Sequence, residues 1–125
     1  DLMKTAPPKI TSPLQNRPPE ALSEVAGYLQ ALSEPTRLQI LNLLRQGECN
    51  VGELARLCGF TAANISRHLT LLTKRGLVAR ESRGTSVYYR IADESVYALC
   101  DLVCGNIARE LERTAERRLA FSQPH

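Results

Sequence analysis

Two cysteines, Cys100 and Cys104, stand four residues apart in a segment with the apolar periodicity of a helix. Side chains at this spacing lie on one helix face, so the two thiolates are expected to share one soft ion. Thiolate sulfur suits As(III), Cd(II), Pb(II) or Hg(II) better than hard cations. The spacing therefore indicates a thiophilic metal or metalloid site, with Cys49 or a cysteine of a second copy of the chain as the third ligand.

Other interpretations of the same cysteines stay open. Cysteine is among the residues most often buried, so Cys100 on the apolar stripe and Cys58 before Gly59 are also expected as core residues. Oxidants or sulfane sulfur would instead join Cys100 and Cys104 through a disulfide or polysulfide, although cysteines one helical turn apart are poorly placed for an unstrained direct disulfide.

A second group of polar residues is suited to nucleic acid. Asn64, Ser66 and Arg67 fall on the polar face of an amphipathic segment. The opposite face carries apolar residues at spacings of four and three: Ile65, Leu69 and Leu72. Asn, Ser and Arg hydrogen-bond to base edges and phosphates, and a small residue such as Ala63 lets the backbone approach DNA closely. This face suits the major groove.

Two short helices between residues 50 and 76 must position that face. Asn50 is predicted to cap the first helix, Gly59 to end it with a positive φ, and Thr61 to cap the second. Two β-like runs follow at 77–81 and 86–91, joined at 82–85, and they predict a hairpin. A helix-turn-helix followed by a hairpin is typical of a winged helix, whose wing lies along the phosphate backbone.

The charge of the chain is concentrated in this region. Residues 61–90 hold six basic residues against one acid, Glu81, whereas the net charge of the whole chain is +3. A cationic face of this kind attracts nucleic acid through counterion release.

Length and composition restrict the remaining possibilities. With 125 residues and 43% hydrophobic content, the chain is expected to form one globular domain. It has no apolar run of roughly 20 residues and no signal-peptide pattern, so we expect a cytoplasmic protein without membrane contact. An enzyme is not expected, because the sequence shows no nucleophile–base pair, no phosphate-binding glycine loop and no histidine-rich metal site.

Three regions are predicted along the chain. Residues 1–19 hold five of the seven prolines and are expected to form a flexible arm. Residues 20–120 form the winged helix-turn-helix DNA-binding and dimerisation domain, mainly α with a small β-hairpin, and 121–125 form a disordered tail. The last helix, predicted over 93–120 with Asp93 as its cap, is too long and apolar for so small a core. With the first helix, at 20–31, it is expected to pack against a second copy as a homodimer.

Short motifs point to a known family. The chain carries LSEPTRL at residues 32–38, VGELA at 51–55 and ISRHL at 65–69. Together they resemble the ArsR/SmtB family of bacterial winged-helix repressors, over about residues 20–111. The resemblance implies a homodimer that binds double-stranded operator DNA until an effector lowers its affinity. It also implies base or backbone contacts from Ala63, Asn64, Ser66, Arg67 and His68.

The remaining predicted DNA-binding residues are Thr61, which caps the same helix, and Arg80 and Arg83 of the wing. His68 has an alternative: a hydrogen bond within the domain, beside the buried Ile65 and Leu69.

The resemblance also restricts which effectors are expected. One family site uses a Cys-x-Cys pair where this chain has Asn50-Val51-Gly52, although Cys49 lies one residue upstream. The zinc-type site on the last helix falls on Asp93, Ser95, Asn106 and Arg109, so three of its four ligands are missing. The predicted ligands are therefore Cys100, Cys104 and Cys49, and As(III) is the expected effector, with Cd(II) or Pb(II) as alternatives. A DNA-binding or interaction module without an effector is a further alternative.

Overall fold

The computed structural model describes residues 15–123. Over this range the chain forms five helices and a three-stranded antiparallel sheet of order β1-β3-β2. In chain order the elements are α1 (Pro19–Ala31), α2 (Pro35–Leu44), β1 (Cys49–Asn50), α3 (Val51–Cys58), α4 (Ala62–Lys74), β2 (Val78–Arg83), β3 (Ser86–Ile91) and α5 (Ser95–Ser122). The predicted mainly helical fold with a small hairpin is confirmed.

The helix-turn-helix forms where the sequence predicts it. Asn50 and Glu53 form a reciprocal capping box: the Asn50 side chain accepts from the Glu53 N–H at 2.8 Å, and the Glu53 carboxylate accepts from the Asn50 N–H at 2.9 Å. Gly59 ends α3 at φ +74°, a conformation that glycine adopts without strain. Thr61 then caps α4 by accepting from the Asn64 N–H at 3.1 Å. Local hydrogen bonds thus fix the turn between the two helices.

The core lies where α2, α3 and α4 meet the sheet. Its largest fully buried side chains are Ile40, Leu54, Ile65, Leu69, Leu72, Leu77 and Val96. Full burial of one side chain of this kind contributes roughly 1.5–3 kcal/mol, so this cluster anchors one face of α4. The terminal helices add little to it, since Ala31 is the buried apolar residue of α1 and Val96 that of α5.

The wing is longer than predicted. Ser82 pairs with Val87 and Arg83 with Ser86, so the strands continue to a two-residue turn at Gly84 and Thr85. Gly84 takes φ +61°, as the first residue of such a turn requires. The third strand, β1, was not predicted, because two residues are too few to show an alternating pattern. It pairs Cys49 with Tyr89 and thereby ties the start of α3 to the wing.

The last helix begins later and ends later than predicted. Glu94 occupies the N-cap, whereas Asp93, the expected cap, accepts a hydrogen bond from the Ser95 N–H at 3.0 Å. At the other end α5 runs to Ser122, through two residues of the predicted 121–125 tail. Of the predicted arm, residues 1–14 lie outside the described part of the chain, and Pro19 already belongs to α1. None of the helices in residues 15–123 has the length and apolar character needed to cross a membrane.

Candidate nucleic-acid interface and thiol groove

The solvent-facing side of α4 is polar and open. Arg67, Ala63 and Thr70 are exposed, and so is Thr61 at the cap, while Ser66 is half-buried. On the opposite side of the helix, Ile65, Leu69 and Leu72 are each 0% exposed. The buried stripe therefore fixes the rotation of α4 and presents the predicted reading residues to solvent as one surface.

Asn64 is only half-buried, but its side-chain oxygen Oδ1 is turned away from solvent and has no hydrogen-bond partner within residues 15–123. An unpaired buried acceptor costs roughly 1–3 kcal/mol. A contact between Asn64 and DNA stays a prediction.

His68 takes part in a contact within the domain. Its Nδ1 lies 3.2 Å from Nη1 of Arg37 and 3.9 Å from Oε2 of Glu34, and its side chain is 17% exposed. Arg37 also donates from Nε to the Ala31 carbonyl at 2.7 Å, at the end of α1. Of the two interpretations of His68, the structure contains the intramolecular hydrogen bond. A contact between His68 and DNA stays a prediction.

The two wing arginines differ. Arg80 on β2 is exposed and forms no ion pair within the described residues. Arg83 is bonded to the carboxylates of Glu48 and Glu81, and its guanidinium carbon lies 5.0 Å from the Tyr88 ring centroid. The hydrogen bonds to Glu48 and, to a smaller extent, to Glu81 raise the pKa of Arg83 above its usual value. The bond between Arg83 and Glu48 also lowers the pKa of the Glu48 carboxyl. Arg83 is thus already paired in the free chain.

The thiols of Cys100 and Cys104 line an apolar groove between α1, α2 and α5. The groove has a volume of about 450 Å³, and its other apolar lining residues are Leu29, Leu32, Leu38, Leu41, Leu99 and Val103. Cys100 is half-buried, and Cys104 is exposed. Burial raises the pKa of the Cys100 thiol, Cys104 and Asp101 raise it further, and Arg45 opposes them. The raised pKa favours the protonated thiol of Cys100 at neutral pH, so a soft ion that binds this sulfur would displace the proton.

Cys49 is not brought to the same place. It lies on β1, half-buried, with its Sγ 3.8 Å from the Gly47 carbonyl oxygen. Within residues 15–123, no three His, Cys, Asp or Glu side chains are arranged to hold a metal ion. One copy of the chain therefore offers two thiols at the groove, and a three-sulfur site there requires a sulfur from a second copy.

The terminal helices carry large apolar side chains on their surfaces. On α1 the exposed ones are Leu22, Val25 and Leu29, and on α5 they are Leu102, Val103, Ile107, Leu111, Leu119 and Phe121. Large apolar side chains left exposed in such number on two helices indicate an interaction surface.

Several contacts of the arginines near α4 and the wing could not be predicted from the sequence. The partners Glu48 and Arg83 are separated by 35 residues, and Arg37 and His68 by 31. Arg75, at the end of α4, donates to Glu24 of α1 at 3.2 Å over a separation of 51 residues. Each arginine could pair with many acidic residues, and the sequence does not show which of them the fold brings near.

These features define a winged helix-turn-helix protein, and comparisons with known proteins specify the family. Residues 34–80 match the model of the bacterial regulatory proteins of the arsR family. The HTH-type transcriptional regulator NmtR of Mycobacterium tuberculosis is 39% identical over 82 residues, which cover 66% of this chain and 68% of NmtR. The chain belongs to the arsR family, as its motifs predicted.

Two solved structures share the fold. One is the homodimeric winged helix-turn-helix DNA-binding domain Mb0332 from Mycobacterium bovis, with a TM-score of 0.64 and 35% identity, covering 91% of this chain and 98% of that one. The other is the transcriptional repressor BigR from Xylella fastidiosa, with a TM-score of 0.59 and 30% identity, covering 67% of this chain and 86% of BigR. Both fit the winged helix-turn-helix described above.

Proposed function

We propose that this protein is a homodimeric transcriptional repressor that reads operator DNA with α4 and leaves it when a thiophilic metal or metalloid binds. The observation that carries the proposal is the polar face of α4, held outward by the buried Ile65, Leu69 and Leu72. A helix presented in this way fits the major groove, where side chains reach base edges.

Roles follow from the positions on α4 and the wing. Arg67 is the exposed cation of the reading face and is assigned the main base or phosphate contact. Asn64 and Ser66 supply hydrogen-bonding groups beside it, and Ala63 with Thr61 lets the N-terminal end of α4 approach the backbone closely. Arg80 is the unpaired cation of the wing and is assigned a phosphate contact.

A second copy of the chain accounts for the apolar surface of α1 and α5. The Mb0332 domain, with the same fold, is homodimeric. Twofold symmetry would present two copies of α4 to half-sites about one helical turn of DNA apart.

The effector is assigned to the thiol groove. Cys100 and Cys104 supply two soft ligands, and the partner copy supplies the third sulfur that arsenite requires; Cd(II) and Pb(II) suit the same ligands. Since α5 carries both cysteines and the proposed dimer surface, ion binding would repack the two copies and change the spacing between their α4 helices.

The DNA-reading role is tested with two matched variants. Arg67→Ala should weaken binding to duplexes selected by the wild-type protein by roughly 5- to 150-fold, as expected for loss of a specific contact. Arg118→Ala removes the same charge from the exposed far end of α5 and should change binding little. Equal affinities of the two variants for DNA would show that α4 is not the reading helix.

The effector role is tested by intact-mass spectrometry under native conditions. The reduced dimer is exposed separately to arsenite, Cd(II) and polysulfide, alongside Cys100→Ser, Cys104→Ser and Cys49→Ser variants. The proposal expects an arsenic or cadmium adduct that both Cys100→Ser and Cys104→Ser abolish. A sulfur-bridged product without metal adducts would instead identify a polysulfide or redox switch, and no adduct at these cysteines would leave them structural. A loss of the adduct in Cys49→Ser would identify Cys49 as the third ligand.

A further inference from the structure

The guanidinium of Arg83 has two edges that can each hold an oxyanion by two hydrogen bonds, and both are occupied. Glu48 takes the edge formed by Nη1 and Nη2, with Nη2 donating to Glu48 Oε2 at 2.8 Å. Glu81 takes the edge formed by Nε and Nη2, which donate to Glu81 Oε2 at 3.1 and 2.7 Å. A DNA phosphate requires one of these same edges for a two-point contact.

The carboxylates of Glu48 and Glu81 also offset the positive charge at this point of the wing. Two carboxylates pair with the one guanidinium of Arg83, and the charge of Arg90 on β3 also acts on Glu48 and helps to lower its pKa. By contrast, Arg67 and Arg80 are exposed and have no ion-pair partner in the described part of the chain. The wing tip therefore differs from Arg67 and Arg80 in that its arginine is already paired with carboxylates.

The two carboxylates are not equivalent. Glu81 stands two residues before Arg83 on β2, so it stays beside Arg83 wherever the wing lies. Glu48 belongs to the connection between α2 and β1, and its bond to Arg83 joins two separate segments. The side chains of Arg83 and Glu48 are 47% and 36% exposed, so water and phosphate can reach this pair. Glu48 is the partner that a phosphate can replace.

We propose that Glu48 limits the DNA affinity of this protein by holding the edge of Arg83 that a backbone phosphate would otherwise take. The proposal rests on the proposed DNA-binding function and adds a residue that acts through Arg83 without touching DNA. In the free protein Glu48 fixes the wing to the α2–β1 connection. On DNA the carboxylate and the phosphate compete for one guanidinium.

The test measures non-specific binding, which phosphate contacts dominate, so the operator need not be known. Fluorescence anisotropy follows binding to a mixed-sequence duplex of about 30 base pairs, long enough for two half-sites. Glu48→Gln keeps the size of the side chain and should bind about two- to fivefold more tightly for each wing. Its plot of log affinity against log salt should steepen by about one for each wing.

Two controls separate this mechanism from a general effect of charge. Glu94→Gln removes the same charge from an exposed residue outside the wing and should raise affinity much less. In an Arg83→Ala background, Glu48→Gln should give a much smaller gain than in the wild type, since the Arg83 guanidinium is absent and only the longer-range effect on Arg90 remains. Circular dichroism verifies that each variant is folded.

The outcomes distinguish this proposal from the one on which it rests. If the wild-type protein binds DNA but Glu48→Gln binds equally or more weakly, Glu48 does not compete with phosphate, and the DNA-binding function stands without this proposal. A full gain of affinity in the Arg83→Ala background would also overturn it. If the wild-type protein binds no duplex even at low salt, the proposed function and this proposal fail together.

Discussion

The winged core and the two terminal helices differ in how far one chain covers its own apolar side chains. In the core, Leu54 and Ile65 are 0% exposed, whereas Leu111 on α5 is 65% exposed and Leu29 on α1 is 48% exposed. Apolar burial drives folding, so the core can form from one chain. Within residues 15–123 the surfaces of α1 and α5 have no such cover, and this is why we assign them to a second copy.

The contacts between α1 and α4 are also unlike the packing of the core. The guanidinium of Arg75, at the end of α4, lies over Gly27 so closely that a Cβ there would be 2.3 Å from Nη2. The same guanidinium reaches Glu24, whose side chain is 81% exposed. Long arginine side chains make these connections, since Arg37 likewise joins the Ala31 carbonyl at the end of α1 to His68 on α4.

The largest expected effect is on the stability of the core. Leu54→Ala should lower the free energy of unfolding by about 2–5 kcal/mol, because it leaves a cavity among buried side chains. Leu111→Ala should lower the free energy of unfolding much less when the protein is dilute. Its effect should grow as protein concentration rises, since the substitution weakens assembly of the two copies. Urea denaturation at several protein concentrations measures both. Equal costs at every concentration would remove the distinction between core and terminal helices.

A charge on the apolar face of α5 should separate the two copies. Ile107 is 55% exposed, so Ile107→Glu should leave the fold intact and give a monomer in sedimentation velocity. Loss of two-site binding should lower DNA affinity by about a hundredfold or more. Arg56→Glu, on the exposed side of α3 and outside the terminal helices, is the control and should stay dimeric. A dimeric Ile107→Glu protein would place the interface elsewhere.

An alanine at Gly27 should have a small effect, despite the close contact. Alanine gains up to about 1 kcal/mol in a helix, while the exposed ion pair of Arg75 and Glu24 contributes roughly 0–1 kcal/mol. Thermal unfolding of Gly27→Ala should therefore stay close to wild type as Arg75 swings away. Gly59→Ala, at φ +74°, should lower stability by roughly 1–2 kcal/mol. A larger loss at Gly27 than at Gly59 would show that α1 is rigidly packed on α4.

The smallest effect concerns alkaline pH. Burial raises the pKa of the thiols of Cys49, Cys58 and Cys100 and of the hydroxyls of Tyr28 and Tyr97. The folded chain holds these protons to higher pH than the unfolded chain does. The free energy of unfolding should thus be constant near neutrality and fall as pH rises past the ordinary thiol pKa of about 8.5. Urea titrations between neutral and alkaline pH would contradict this if stability rose instead.

Local signals made most of the winged core predictable from the sequence. Asn50, Gly59 and Thr61 each determine a helix end by contacts within a few residues, so their types alone gave the helix-turn-helix. The cationic face followed from composition in the same way.

The parts that sequence did not give depend on pairing across the chain. The short strand β1 exists because Cys49 pairs with Tyr89, and the wing arginine is paired because the fold brings Glu48 to it. A prediction from charge treated Arg83 as free for phosphate, and spacing alone left the third thiol open between Cys49 and a cysteine of a second copy. Neither local pattern contains the distance between segments that decides these contacts.

The most direct test of a twofold, α4-reading repressor is to select duplexes from a random library with the wild-type protein and sequence them. The enriched sequences should contain an inverted repeat whose half-site centres lie about 10 base pairs apart, or a multiple of this. Arg67→Ala should fail to enrich the same sequence. Enrichment of a single unrepeated site, or no enrichment at all, would show that the protein does not read DNA as a twofold dimer through α4.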